Sequence, residues 1–318
     1  MRTAFFKILI IMAIVSAEIV ACPLRALAQD SCYVKKYGHL LSVKAFLYDY
    51  DFVFQNHETG FKYIPDRHYG VGAGVWCKYF PFDVCCRKEV SFSGKDYHRI
   101  KATDMQLRGY SRFFVGDIYV QKYSGFYENV KNRFQIKNPQ TDEDPAYNPD
   151  IAVSQFDMVG KYIFNHDRFS YKAGFTANEA QLKSAGSFTL GAALYFLKIK
   201  SDSLLVERGE SNMKSCNIGF NVGYAYNLVL GGRGLLFVSG SVGANASNLF
   251  YHKKGDSDIR LSPVLHLKGA YWINFKKWSY GITGTFNVIH HTLNKDTTLY
   301  VHTRRLELLA IRRIWWGS

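Results

Sequence analysis

At 318 residues, with 24 Phe, 22 Tyr and 26 Gly against only seven Pro, the chain can form one large domain and is composed for extended rather than helical structure. The net charge of +14 is gathered partly at the amino terminus and partly in the last fifteen residues, where Arg304, Arg305, Arg312 and Arg313 stand. No basic stripe interleaves with aromatics, so the balance argues against nucleic acid and for lipid phosphates or a protein partner.

The first residues read as a targeting segment. "MRTAFFK" is basic, "ILIIMAIVSA" is apolar, and "ALA" at 26–28 is a small-x-small cleavage site. Residues 1–28 are therefore expected to be a signal peptide, 29–38 a short N-terminal segment, and 39–318 the main domain. A rival reading takes "IVAC" at 19–22 as a bacterial lipidation site with Cys22 as acceptor. Either way the chain is exported. Beyond Ala28 no run of about eighteen apolar residues occurs, so no helix is expected to span a membrane. A soluble, lipid-anchored or β-barrel protein remains.

From residue 44 onward, short segments alternate apolar and polar residues, the period of strands with two unlike faces. "KAFLYDYDFVF" sets Phe46, Tyr48, Tyr50, Phe52 and Phe54 against Asp49 and Asp51. "HYGVGAGVWCKY" sets Tyr69, Val71, Ala73 and Val75 against Gly70, Gly72 and Gly74. The spacing of "WCKYFPFDVCC" predicts a hairpin turning at Pro81 and Phe82, with Cys77 opposite Cys86 as a candidate cross-strand disulfide; two small apolar residues on one face is the plainer reading. "TDMQLRGYSRFF", "GDIYVQKYSGFY" and "DMVGKYIFN" follow. "RFSYKAGF" is expected to be a strand, with Lys172 on its polar face, and "SFTLGAALYF" another. The clearest pair spans 219–247, where Phe220, Val222, Tyr224, Tyr226, Leu228 and Leu230 alternate with Gly, Asn and Ala. "SPVLHLKGAYWINF" sets Leu265, Leu267, Tyr271 and Ile273 against His266 and Lys268, and "WSYGITGTFNVIHH" places Asn287 among its polar residues.

Tight links alternate with long polar ones, the wiring of an outer-membrane barrel, except between Thr176 and Cys216. There, either one segment is not a strand or "SLLVE" is an extra one. Bulky aromatics near strand ends (Trp76, Tyr79, Phe113, Phe114, Tyr162, Phe164, Trp272 and Trp278) suit the two girdles at membrane surfaces. The polar face is small, and Lys172, His266, Lys268 and Asn287 on it are expected to face a wet lumen rather than a dry core. A secreted sandwich also alternates and is the soluble alternative. The expected fold is thus all-β, an antiparallel transmembrane β-barrel of about twelve strands, twelve to fourteen by count, since single-chain bacterial barrels use even numbers.

The block "YIFNHDRFSYKAGFTANEAQLKSAGSFTLGAALYF" at 162–196 resembles the bacterial family catalogued as domain of unknown function 4421. "YIPDRHYGVGAGVWCKYF" at 63–80, "LRGYSRFF", "QKYSGFYENV" and "YNPDI" at 147–151 add to the resemblance, which covers about residues 40 to 290. It implies an outer-membrane barrel of unexplained function with no established catalytic residues. The tail departs from such barrels, whose last strand ends on an aromatic residue. "LELLAIRRIWWGS" instead spaces Leu306, Leu309 and Arg313 at a helical period, which leaves the final strand open.

No catalytic constellation, cofactor motif or metal set emerges. Gly70-x-Gly72-x-Gly74 lacks the following helix of a dinucleotide loop and reads as a smooth strand face. The adjacent His290 and His291 point to opposite faces. The four carboxylates of "TDEDPAYNPD" lack the ordered ligand spacing of a calcium loop. An outer-membrane lipid hydrolase would need a Ser–His pair on one face; Ser239 or Ser241 with His290 sit on opposite ones. Structural, surface-binding or narrow-pore roles are expected, with outer-membrane lipid, lipopolysaccharide and the barrel-assembly machinery as partners.

Overall fold

The alternating segments pair into one closed sheet. A computed structural model describes residues 29–56, 62–65, 69–89, 103–128, 147–201, 212–247, 260–294 and 297–315. Their strands are β1 (Val34–Lys36), β2 (Leu41–Asn56), β3 (Lys62–Pro65), β4 (Tyr69–Cys77), β5 (Phe80–Glu89), β6 (Thr103–Tyr110), β7 (Phe114–Glu128) and β8 (Tyr147–Ile163). After them come β9 (Glu179–Gln181), β10 (Ala185–Lys200), β11 (Asn212–Leu230), β12 (Gly234–Ser247), β13 (Arg260–Asn274), β14 (Trp278–Asn294) and β15 (Thr297–Ile314).

Neighbours in the ring are antiparallel and, apart from β9 and β3, consecutive: β2, β4, β5, β6, β7, β8, then β10 through β15, which returns to β2. The fold is a twelve-strand antiparallel transmembrane β-barrel. The tight turns β4–β5, β6–β7, β11–β12 and β13–β14, the β8–β10 segment and both described ends of the wall lie at one mouth, the tight-turn mouth; the strand ends joined by the longer links, and the two-residue β14–β15 link, lie at the other. β3 and β4 run in line along β2, with Tyr63 opposite Phe54 and Tyr69 opposite Asp49. The far edge of β3 pairs with β7, Ile64 opposite Tyr127. The short β5–β6 pair is thus a wedge, and among the described residues the ring has two fewer strands at the long-link mouth than at the tight-turn mouth.

The outer face is apolar. Phe220 is 71% exposed, and Val222, Tyr224, Tyr226, Leu228 and Leu230 are exposed with it, while Asn221, Ala225 and Asn227 between them are buried inside. A sandwich would bury the bulky set and expose the small polar one, so the soluble alternative fails. The tail is strand to Ile314, and β15 pairs along its length with both β14 and β2. The helical period at Leu306 and Leu309 is a coincidence of an alternating strand in which Leu306 and Leu308 face out and Leu309 faces in.

Three further expectations change. On β2 the aromatic comb faces inward: Phe46, Tyr48, Tyr50, Phe52 and Phe54 are buried, and Val43 and Leu47 are exposed. The reason lies on β4, where Gly70 sits opposite Tyr48 and Gly72 opposite Phe46. A Cβ at Gly70 would come 2.5 Å from Tyr48 Cζ, so the glycine track exists to receive the rings. Trp76 and Trp272 also turn inward rather than joining the girdle; Trp272 donates to the Gly174 carbonyl at 2.8 Å. Tyr79, Tyr162, Phe164 and Trp278 do face out, toward the tight-turn mouth. The candidate Cys77–Cys86 disulfide does not form, because the hairpin turns at Lys78 and Tyr79 rather than at Pro81 and Phe82, which puts Cys86 opposite Ala73 and Cys77 opposite Phe80, and both thiols are free.

Gly72→Val would drive its side chain into the Phe46 ring and to 2.9 Å or closer from the Cys86 carbonyl. The expected cost is about 1–3 kcal/mol of overpacking, read as a lower denaturant midpoint for loss of the compact unboiled gel band. Adding Phe46→Ala should restore part of the loss; a midpoint unmoved by Gly72→Val contradicts the inward track.

Candidate functional site

Inward positions of β2, β5, β6, β7 and β15 carry Lys44, Asp83, Arg87, Asp104, Arg108, Asp117, Arg305 and Glu307, all buried as side chains. A charge shut away from water is tolerated only with a partner. Here the charges answer one another. Glu307 takes the Arg87 guanidinium through Nε at 3.1 Å and a second bond, with Arg108 Nη2 at 3.5 Å and the Thr283 hydroxyl at 3.3 Å. Asp104 pairs with Arg305 and lies 3.5 Å from Arg87. The Gln106 amide oxygen accepts from Arg87 at 3.0 Å and Arg108 at 2.8 Å. Lys44 pairs with Asp83.

Other bonds cross the ring. Lys268 on β13 reaches Asp117 on β7 at 2.5 Å, and the Tyr110 hydroxyl donates to the same carboxylate at 2.8 Å. Those two strands stand five places apart around the ring, nearly opposite. Lys161 on β8 donates to Ser241 on β12 at 2.7 Å. His266 lies 2.6 Å from the Tyr195 hydroxyl and 2.8 Å from Asn287 Oδ1, and Asn287 donates to Thr303 at 3.1 Å. A barrel of this strand number leaves a lumen that side chains can bridge, and these do.

The third component is a plug. "RFSYKAGF" is not a wall strand: after the turn at 164–167 the chain enters the lumen, forms a π-helical turn Lys172–Thr176, and returns through β9 to β10. Its alternation misled because both sets of side chains are covered, Phe169, Tyr171, Ala173 and Phe175 along with Ser170 and Gly174. The Ser170 hydroxyl accepts the Ala173 N–H at 3.1 Å, and Ala177 closes the turn in the left-handed region at φ 52°. At Gly174 a Cβ would fall 2.5 Å from Asn227 Oδ1 on the wall. Gln181 pins the base: its oxygen accepts from Ser170 N–H and Asn227 Nδ2, both at 3.0 Å, and its amide donates to the Arg168 carbonyl at 2.6 Å. β1 pairs with β9, so the N-terminal segment joins the plug.

A latch holds that segment to the rim. The Arg313 guanidinium lies 3.7 Å from the Tyr37 ring and donates to the Ala177 carbonyl at 2.6 Å. Trp315 donates to the Tyr37 carbonyl at 3.3 Å. The His39 ring lies tilted against that of Trp76, centroids 4.9 Å apart, and its Nε2 is 2.7 Å from the Ser42 hydroxyl, which donates to Asn178 at 3.2 Å. With that hydroxyl proton committed to Asn178, His39 Nε2 is the donor and its buried Nδ1 has no hydrogen-bond partner among the described residues. A proton there would be buried without an acceptor. Burial first, then the charges of Arg313 and Lys44, lowers the His39 pKa from 6.5 to about 4.

Of the residues singled out in sequence, His266, Lys268 and Asn287 point into the lumen from β13 and β14. Lys172 belongs to the plug, 3.7 Å from Glu179, because its segment left the wall. Ser239 and Ser241 face inward, and His290 faces outward with its ring 4.3 Å from that of Tyr300, so the hydrolase pair is not assembled. The inward charges of β5, β6 and β15 were assigned in sequence neither to a face nor to one another, since their partners lie far apart in the chain and the last strand was left open. Gln181 lay in view within "Q-x-KSAGSF", with nothing in its spacing to show that it ties plug to wall.

A family model described as Domain of unknown function (DUF4421) matches residues 28–311. None of the curated proteins matches the chain. Among solved structures the chain is similar to the translocator domain of autotransporter NalP from Neisseria meningitidis, with 11% identity over 85% of this chain and 88% of that one and a TM-score of 0.42. It is also similar to the outer-membrane protease OmpT from Escherichia coli, with 7% identity over 87% and 97% of the two chains and a TM-score of 0.37. A third is OmpT, an outer-membrane protein of Vibrio cholerae, with 7% identity over 86% and 97% and a TM-score of 0.29.

The latch should respond to acid. Because the folded-state pKa of His39 is depressed, the detached segment binds the proton more readily than the docked one. Attachment is full above about pH 6.5 and weakens as pH falls toward about 4. Amide exchange over residues 33–37, normalised to a His39→Gln variant, should rise through that window. Equal rates in the two proteins at every pH would contradict it.

Proposed function

The chain belongs to the family of domains of unknown function numbered 4421, and on that premise we propose an outer-membrane protein whose barrel is closed to solutes and works as a structural or surface-binding platform. The observation that carries this reading is the bracing of the lumen: Lys268–Asp117 spans it, Lys161–Ser241 bridges β8 to β12, and the plug fills the tight-turn mouth. An open pore would keep an uninterrupted aqueous path, whereas these inward groups spend their hydrogen-bonding capacity on one another.

The exposed apolar belt and the outward aromatics at the tight-turn mouth support a place in the bacterial outer membrane. Export through a signal peptide cleaved after Ala28 belongs to the same proposal, as do lipopolysaccharide and the barrel-assembly machinery as partners; residues 1–28 lie outside the described residues. The narrow-pore role is the second reading, favoured by the cationic side chains of Lys161 and Lys268 on the inner wall.

Planar-bilayer recording of the purified protein separates the two. The wild type should give no steady conductance steps, and a Tyr171→Ala, Phe175→Ala variant that thins the plug should give intermittent ones. Stable ohmic steps from the wild type would overturn the closed-barrel reading.

A further inference from the structure

Along the tight-turn mouth, the arc from β11 to β15 is basic. Arg233 stands in the β11–β12 turn, Lys276 and Lys277 form the β13–β14 turn, and Arg312 lies near the end of β15. Backbone bonds tie these pieces together: Asn274 N–H donates to the Arg233 carbonyl and Arg313 N–H to the Lys277 carbonyl, both at 2.9 Å. Arg233, Lys276 and Lys277 are exposed, and Arg312 is half-buried.

The two arginines are seated on aromatic rings. The Arg233 guanidinium lies 4.8 Å from the Phe275 centroid. Arg312 lies 4.8 Å from the centroid of Trp278, its direct partner across β14 and β15. Both rings belong to one hairpin, with Phe275 6.4 Å and Trp278 5.9 Å from Tyr280, so the two guanidiniums lean toward the same turn. A ring under a guanidinium fixes its plane and satisfies none of the N–H donors within that plane.

No carboxylate of the arc answers them. Residues 228–236, 271–281, 309–315 and 41–45 contain neither Asp nor Glu. Among the described residues, no side-chain hydrogen bond or ion pair engages Arg233, Lys276, Lys277 or Arg312. Elsewhere on the surface the protein pairs its own arginines: Arg304 lies 2.7 Å from Asp51, and Arg112 pairs with Asp167. Four cations turned toward one hairpin without a counter-charge call for an anion from outside.

The wall beside them says which kind. Leu228, Leu230, Tyr271, Ile273, Tyr280 and Ile282 face outward and are exposed just inside the arc. A soluble anion has no use for that surface, whereas a phosphodiester carrying acyl chains covers it. Short turns lie at the periplasmic surface of outer-membrane barrels, and aromatics such as Trp278 and Tyr280 mark headgroup depth. We propose that Arg233, Lys276, Lys277 and Arg312 bind the phosphodiester of an anionic glycerophospholipid in the periplasmic leaflet. Its acyl chains lie along the outer wall of β11 to β14.

The proposal rests on the membrane reading above. Its test is made in detergent and is independent of bilayer conductance, so the two can fail separately. Full-length protein in a neutral detergent is titrated with phosphatidylglycerol and with phosphatidylcholine of the same chains, binding being read by native mass spectrometry. The wild type should prefer phosphatidylglycerol. Arg233→Gln and Arg312→Gln should each weaken that lipid roughly fivefold, and the double variant about twenty-fivefold. An Arg168→Gln, Lys183→Gln protein, which loses the same charge beside Tyr33 at the plug, should bind like the wild type. All variants should keep the unboiled gel shift. Arg233 lies in a turn, so its single variant carries the test even if Arg312→Gln disturbs β15. A wild type that takes both lipids equally overturns the assignment, as does an Arg233→Gln protein with unchanged affinity or a plug-side control that loses as much as the double variant. Competition by an equal concentration of glycerophosphoglycerol, the headgroup without chains, would mark a site for a soluble phosphodiester and overturn it too.

Discussion

A strand exposed to lipid has no water to satisfy an unpaired edge, so the sheet must close on itself or not cross at all. Closure here depends on one seam. β15 pairs with β14 on one side and, from Leu299 to Ile314, with β2 on the other. The seam joins the last strand to the first wall strand, and everything inside the barrel assumes that it holds. Glu307 and Arg305 are on β15, so the buried charges that meet Arg87 and Asp104 reach them only once the ring has shut.

The interior then solves two packing problems in different ways. On the β2–β4 side, rings lie on glycine, Tyr48 over Gly70 and Phe46 over Gly72. On the far side the wall is small and polar, and the plug supplies the bulk that it lacks: Tyr171 and Phe175 pack against Phe237, with centroids 4.9 and 5.9 Å from it. Between the two, Lys268 is 4.8 Å from the Phe175 ring while bonded to Asp117. Plug, wall and buried ion pairs are one connected body, which is the physical ground for reading the barrel as closed.

Much of this was legible from period alone. Strict alternation in 219–247 located β11, β12 and their lipid-facing side, because lipid on one face and small polar groups on the other leave little freedom. Period cannot tell which face is out when both are plausible. β2 was ambiguous because its aromatics look lipid-facing until the glycines of β4 are set opposite them. The plug was missed for the complementary reason: Phe169, Tyr171, Ala173 and Phe175 alternate in sequence, yet Ser170, Gly174 and Thr176 beside them are buried too. The Cys77–Cys86 pairing failed because the hairpin turns at Lys78 and Tyr79, ahead of the Pro81 that marked the turn in sequence. The buried charge partners are far apart in sequence, Arg87 and Glu307 for instance, so no local rule could join them.

The seam is the claim to test first. Leu47 and Leu308 are directly opposite across it, and both face outward, 54% and 59% exposed. A Leu47→Cys, Leu308→Cys protein, purified from membranes and oxidised, should form a disulfide. It should then run as a circularised species on a boiled, unreduced gel, shifting back on reduction, while each single variant does not. If no cross-link forms in protein that still shows the folded unboiled band, β15 does not close on β2. The barrel, with the lumen built inside it, would then have to be redrawn.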